Sequence, residues 1–269
     1  MTQRFPITIA IHGAAGRMGQ RLVALASGDR ELKLAAALDA PSNPRLGQDA
    51  GLVAGVGELG LPLASSLTVP VDVVIDFSSP AGAMAITETC RERGQALVLA
   101  TTGLTDDQQA KVREASRRIP LLWAPSMSLA VNLAMKLSAV AAAALKDHPS
   151  GADVEIIERH HRYKEDAPSG TALKFGEIIA GVMGQQAARH GREGRVGARP
   201  HGEIGYHAVR VGDNPGEHTI LFGLLGESLE ITVRATNRDS YAHGALAAAK
   251  FLAGKPAGLY GMSDVLNLA

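Results

Sequence analysis

The chain has 269 residues, 46% of them hydrophobic and 20% charged, which is the profile of a globular protein and excludes a disordered one. Its 27 Lys and Arg balance 27 Asp and Glu, so no net field recruits nucleic acid or an anionic membrane. The longest apolar runs, such as "LSAVAAAAL", fall short of the ~20 residues that span a bilayer, and the single cysteine excludes a disulfide framework or a cysteine zinc cluster.

In chain order, "MTQRFPITIAIHG" runs directly into a strand, which points to a cytoplasmic protein. That strand, "ITIAI", ends in "HGAAGRMG", with Gly13, Gly16 and Gly19 opening the helix "RMGQRLVALAS". This GxxGxxG spacing is a variant of the dinucleotide fingerprint. Glycine permits the tight turn and the close backbone approach, and the helix start presents unpaired N–H groups to a pyrophosphate. Alone the motif is weak. It gains weight because the next strand, "LKLAAAL", ends at Asp39, 20 residues after Gly19, where a carboxylate can accept hydrogen bonds from ribose hydroxyls. A carboxylate there repels a ribose 2'-phosphate, Ala40 supplies no cation to bind one, and only Arg17 is near in sequence. NADH is therefore expected to serve at least as well as NADPH.

The strands "VDVVIDF", "ALVLAT" and "PLLWA" follow, alternating with helical segments, as in a doubly wound parallel sheet. Cys90 falls in the helical "AITETCRERG" and reads as a buried, inert thiol. Thr105 and Gln108 in "TDDQQAKVREA" form a capping box. "ATTG" and "APSMS" stand where strand ends should converge on a cofactor, although ordinary strand-to-helix turns look the same.

From about residue 128 the pattern changes. A long apolar helix, "MSLAVNLAMKLSAVAAAALK", leads to the strand "ADVEIIERHH", the helix "GTALKFGEIIAGVM" and a Gly- and Arg-rich loop, "ARHGREGRVGARPHGEIG". Three strands close this second domain: "GYHAVRVG", "EHTILFGLL" and "SLEITVRAT". In the last, Leu229, Ile231, Val233 and Ala235 alternate with polar residues, so one face should be buried. The final helix, "SYAHGALAAAKFLAG", could return to the first domain.

The densest chemistry lies in "ERHHRYKEDAPSGTA". Arg159, His160, His161, Arg162 and Lys164 put five basic groups within six residues, directly ahead of Ser169, Gly170 and Thr171 at a helix start. Such a set can bind a small acid with one or two carboxylates. Histidine and lysine can also donate the proton that a nicotinamide hydride donor lacks. Adjacent histidines on a strand point oppositely, so metal ligation is a poor alternative and no metal is expected. His190, His201 and His207 read as surface residues without a role.

Taken with "GAAGRMG", "VIDFSSP", "ATTG", "GDNPGEHT" and "GLYGMSDVL", this block resembles the dihydrodipicolinate reductase family over nearly the whole chain. The resemblance implies an α/β protein: a Rossmann-type, doubly wound parallel sheet over 1–128 completed by 241–269, and an α+β domain with an open mixed sheet over 129–240 for substrate binding and oligomerisation. It implies reduction of a hydroxylated cyclic imino dicarboxylate with NADH and/or NADPH by a homotetramer that uses neither nucleic acid nor membrane. By motif position, His160 would be the acid/base residue and Lys164 the proton donor, with His161, Ser169, Gly170, Thr171 and Thr102 at the substrate. Gly13, Ala14, Ala15, Gly16, Arg17, Met18 and Asp39 would line the cofactor, together with Ala100, Thr101, Thr102, Ala124, Pro125, Ser126 and Met127. The chain departs from the family pattern at Ala100, Ser126 and Ala130, where Gly, Asn and Gly are usual, and at Ala40, where some members carry Arg. These departures bear on cofactor affinity more than on the reaction. A catalytically silent nucleotide-binding sensor is the alternative, and a different small-acid dehydrogenase a third reading.

Overall fold

The computed structural model describes residues 6–185 and 187–268; residues 1–5 and 269, which the expected domain limits include, lie outside them. The elements run β1 (Ile7–His12), α1 (Arg17–Ser27), β2 (Leu32–Leu38), α2 (Ala50–Ala54), β3 (Leu63–Ala64), β4 (Val73–Asp76), α3 (Pro80–Arg93), β5 (Ala96–Leu99), α4 (Asp106–Ala115) and β6 (Pro120–Trp123). They continue with α5 (Leu129–Leu145), β7 (Asp153–His160), α6 (Gly170–Met183), β8 (Ala187–His190), β9 (Glu203–Arg210), β10 (Glu217–Leu224), β11 (Glu227–Arg234), α7 (Asp239–Leu252), β12 (Gly258–Tyr260) and α8 (Met262–Val265). The chain divides into two compact units, Met1–Leu129 with Arg238–Ala269, and Ala130–Asn237. No helix among the described residues is long and apolar enough to cross a membrane.

The first unit holds a seven-stranded sheet in the order β12-β6-β5-β4-β1-β2-β3, with its strands paired in parallel. Both faces are buried, which is why its strands read as continuous apolar runs. Leu22 and Val23 of α1 and Ala245 and Leu252 of α7 cover Ile9, Ile11 and Ile75 on one face. Ala83 and Ile86 of α3 and Val112 of α4 cover Val74, Leu97 and Leu99 on the other. Cys90 lies in that second layer; burial, aided by the charge of Asp76, pushes its thiol up to about 12. Helix ends follow their sequence signals. Ser79 caps α3 ahead of Pro80, Gly94 ends it at φ +66°, and Thr105 and Gln108 form the capping box of α4. From β1 the chain builds β2 and β3 on one side and then crosses to β4 on the other, so the topological switch point falls between β1 and β4.

The second unit holds a five-stranded mixed sheet, β11-β10-β7-β9-β8. β7 runs parallel to β9 and antiparallel to β10. Val154, Ile156, Ile204, Ile220 and Phe222 pack one face against Phe175 and Ile179 of α6 and Ala142 of α5. Gly176 lets α6 approach the sheet, since a Cβ there would sit 2.7 Å from Cζ of Tyr206. Two expectations are corrected. The Gly- and Arg-rich segment is not loop throughout, because Ala187–His190 forms β8 against β9. In β11 only Val233 is buried while Leu229 is 43% exposed, because β11 is the edge strand and the helices cover the sheet's middle.

The rest of that loop is pinned by charge. Arg192 and Arg199 reach Glu155 at 2.7 and 2.8 Å, and His207, read from sequence as a surface residue, reaches it at 2.6 Å. Burial raises the Glu155 carboxyl, but these partners outweigh it and hold it at about 2. Phe175 is fully buried at the centre of the second core. Phe175→Ala should lower the unfolding free energy by roughly 3–5 kcal/mol in urea titration, and a loss below about 1 kcal/mol would contradict this packing.

Candidate active site

On β7 the even-numbered residues face the core, and the last two of them are Glu158 and His160. Glu158 is fully buried and His160 nearly so, at 8% exposure. A carboxylate at such depth is tolerated only when its lone pairs are taken. Arg210 of β9 grips both oxygens at 2.8 Å, the Ser169 N–H donates at 3.1 Å, and His160 Nδ1 lies 2.6 Å away. Burial alone would raise the Glu158 carboxyl; Arg210 and His160 hold it below the ordinary range. The ionised carboxylate makes Nδ1 the donor and leaves a lone pair on Nε2. His160 is itself lowered, mainly by burial and further by the charges of Lys164 and Arg210, so its neutral form dominates near neutral pH. A Cβ at Gly216 would lie 3.0 Å from Nε2, so the glycine of "GDNPGEHT" keeps that nitrogen's surroundings open.

Arg210 also donates to the carbonyls of Lys164 and Asp166, at 3.3 and 2.5 Å, and so fastens the 161–169 loop to the same carboxylate. Lys164 Nζ rests on the exposed Asp166 at 2.7 Å. Ser169 caps α6 by accepting from Ala172 N at 3.1 Å, and its hydroxyl lies 2.9 Å from Nε2 of the buried His218. The N–H groups of Gly170 and Thr171 head the helix, where no preceding carbonyl reaches them. His161 follows the strand, and its buried Nδ1 has no hydrogen-bond partner among the described residues. The structure thus joins His160, Lys164 and Ser169 through one carboxylate. Glu158, Arg210 and His218 went unassigned in the sequence reading. The signal for Glu158 was present: an acid in the buried phase of "VEIIERH".

In the first unit, Gly13 sits at φ +80°, and a Cβ on it would meet the Phe77 carbonyl at 2.5 Å. A Cβ on Gly19 would lie 2.6 Å from Cα of Ala14, so the helix start can fold onto the turn only without side chains. Gly16 caps α1 with no side-chain hydrogen bond, and no acid lies in the first turn, which leaves the helix-start N–H groups of Arg17, Met18 and Gly19 for an anion. Asp39 follows β2 and accepts from Ala15 N, Ala40 N and Asn43 Nδ2, each at 2.8 Å. Ala100, Thr101 and Thr102 follow β5, and Ala124, Pro125, Ser126 and Met127 follow β6. Every residue assigned to the cofactor therefore lies at the C-terminal edge of the parallel sheet, where open α/β sheets bind ligands. Thr102, Gly16 and Arg17 are exposed; Ala100, Thr101 and Met127 are buried.

Two family models match the chain, dihydrodipicolinate reductase N-terminus over residues 7–127 and C-terminus over 130–266. The chain belongs to the dihydrodipicolinate reductase family. It is 56% identical to the 4-hydroxy-tetrahydrodipicolinate reductase of Rhodopirellula baltica, with 98% of this chain and 97% of that relative covered. It is 47% identical to that of Alkalilimnicola ehrlichii, covering 97% and 98%. Among solved structures, the dipicolinate-bound dihydrodipicolinate reductase of Paenisporosarcina sp. TG-14 superposes with a TM-score of 0.77 at 29% identity, covering 96% of this chain and 98% of that one. An amine dehydrogenase from Mycobacterium smegmatis shares the fold alone, with a TM-score of 0.63 at 12% identity over 96% of each chain.

The buried histidines give a pH dependence with a definite sign. Burial, reinforced by His160, pushes His218 down to about 4, so the unfolded chain takes up that proton before the native one. The associated stability is complete above the ordinary histidine pKa of about 6.5 and is lost as pH falls toward 4. Denaturant unfolding should weaken between pH 7 and 5 by about 2 kcal/mol from His218, with His160 adding in the same direction. That difference should shrink in His218→Asn; an equal difference in the variant would contradict the assignment.

Proposed function

We propose that this protein is a 4-hydroxy-tetrahydrodipicolinate reductase, which reduces its cyclic dicarboxylate substrate to tetrahydrodipicolinate with NADH or NADPH and releases water. The observation that carries the reading is the carboxylate-anchored His160, with Lys164 and the α6 start beside it, in a chain that matches both family models.

The nicotinamide, when bound, supplies a hydride but no proton. The first unit's glycine turn and the start of α1 would hold its pyrophosphate, and Asp39 would accept hydrogen bonds from its ribose hydroxyls. The turns at 100–102 and 124–127 would hold the nicotinamide. In the second unit, the Gly170 and Thr171 N–H groups and His161 hold the substrate carboxylates, with Ser169 fixing the helix start beneath them. Lys164 donates the proton that accompanies hydride arrival. Its pairing with Asp166, a carboxylate 60% exposed to water, contributes little, so the ammonium can be given up to a dianion. His160 is the acid/base residue. Its Nε2 lone pair accepts a proton or a hydrogen bond, and Glu158 stabilises the imidazolium that results.

The proposed setting is a homotetramer in the cytoplasm. Assembly through the second unit is supported by the sheet face opposite α6, against which no helix of that unit packs among the described residues and where Val209 is 38% exposed. A monomeric elution profile would count against it.

The test is NADH oxidation in the presence of the freshly formed condensation product of pyruvate and aspartate semialdehyde. Oxidation should require that product. Lys164→Ala should cut kcat roughly 100- to 10,000-fold, and near-normal kcat would remove Lys164 as donor. Because Asp39 faces the ribose and Ala40 adds no cation, kcat/KM for NADH should equal or exceed that for NADPH; a preference for NADPH above about tenfold, or ~1.4 kcal/mol, would contradict this.

A further inference from the structure

A second buried carboxylate lies in the first unit, at the switch point itself. Asp76, the last residue of β4, is fully buried and in register with His12, the last residue of β1. His12 Nδ1 lies 2.6 Å from Oδ1, Ser78 Oγ donates to the same oxygen at 2.6 Å, and Thr101 Oγ1 donates to Oδ2 at 2.5 Å. Thr101 Oγ1 in turn accepts the Ser78 N–H at 3.1 Å. The backbone repeats the same links, Phe77 N to the His12 carbonyl and Ala100 N to the Asp76 carbonyl, both at 3.0 Å. Gly82 in α3 makes room for the cluster, since a Cβ there would meet Ser78 Oγ at 2.7 Å and His12 Cε1 at 3.1 Å.

A fully buried carboxylate of this kind is not needed to close a parallel sheet. What it joins is the turns after three consecutive sheet neighbours: the glycine turn that starts at Gly13, the turn at 77–79 and the turn at 100–103. We propose that Asp76 is a positioning residue for the cofactor: with His12, Ser78 and Thr101 it holds these turns in the geometry that accepts the nicotinamide dinucleotide, without touching it. The proposal rests on the cofactor reading above. It follows that disturbing Asp76 changes cofactor affinity and leaves proton delivery in the second unit alone.

The experiment measures NADH binding directly, by nicotinamide fluorescence, in wild type, Asp76→Asn and Ser78→Ala, alongside melting curves and steady-state kinetics. Asp76→Asn keeps the shape but gives the histidine and threonine donors one acceptor too few. The expected result is an NADH Kd raised about tenfold in Asp76→Asn and about fivefold in Ser78→Ala, a size suited to one lost buried hydrogen bond. KM for NADH should rise in parallel, with kcat at saturating NADH within about twofold of wild type. If Asp76→Asn fails to fold, Ser78→Ala decides. A folded variant that melts like wild type and binds NADH with the wild-type Kd overturns the proposal, as does a fall in kcat at unchanged Kd. Wild-type protein that binds no NADH would instead refute the cofactor reading beneath it.

Discussion

The end of β7, the loop after it and the start of α6 all depend on one buried negative charge. Glu158 sits at the core-facing phase of β7, where an uncompensated carboxylate would be strongly destabilising, and its four hydrogen bonds come from a neighbouring strand, a helix start and His160. The charge thereby does three things at once. It selects the tautomer of His160, it seats Ser169 at the head of α6, and through Arg210 it ties down the loop that carries Lys164. Each follows from the need to satisfy the same carboxylate.

The division of labour between the units follows from their sheets. A parallel sheet gathers the C-terminal ends of its strands along one edge, so residues far apart in sequence, from Gly13 to Met127, share that edge. A mixed sheet with helices on one face presents a strand end and a helix start side by side instead. Both units place an acid at the end of a strand, Asp76 as the last residue of β4 and Glu158 near the end of β7, and both surround it with a histidine and a serine backbone or side-chain donor. In each case the carboxylate is fully buried and orders the groups around it.

Much of this was legible in the residues. The glycine spacing, Asp39 at a strand end and the apolar runs of the first sheet carry direct physical signatures, because turns needing no Cβ and strands buried on both faces leave few residue choices. The capping box at Thr105 was equally plain. The basic block around His160 stood out by charge density, and its roles came from the family resemblance. What stayed hidden were partners brought in by tertiary contact. Arg210 lies 52 residues from Glu158 and His218 lies 49 from Ser169, so no local pattern joins them. Edge position was hidden too: the alternation in β11 predicted a buried face for Leu229, but burial depends on what packs above, and at the sheet edge nothing in that unit reaches so far. The same holds for β8, a four-residue strand whose sequence carries no apolar run.

The most direct test of the account is the protonation state of His160. Nitrogen-15 spectra of histidine-labelled protein at pH 7.5, assigned with a His160→Gln control, should show His160 neutral, with Nδ1 protonated and Nε2 bare, as a hydrogen bond to ionised Glu158 requires. A proton on Nε2 with Nδ1 bare, or a full imidazolium at that pH, would contradict the claim that Glu158 sets the chemistry of the site.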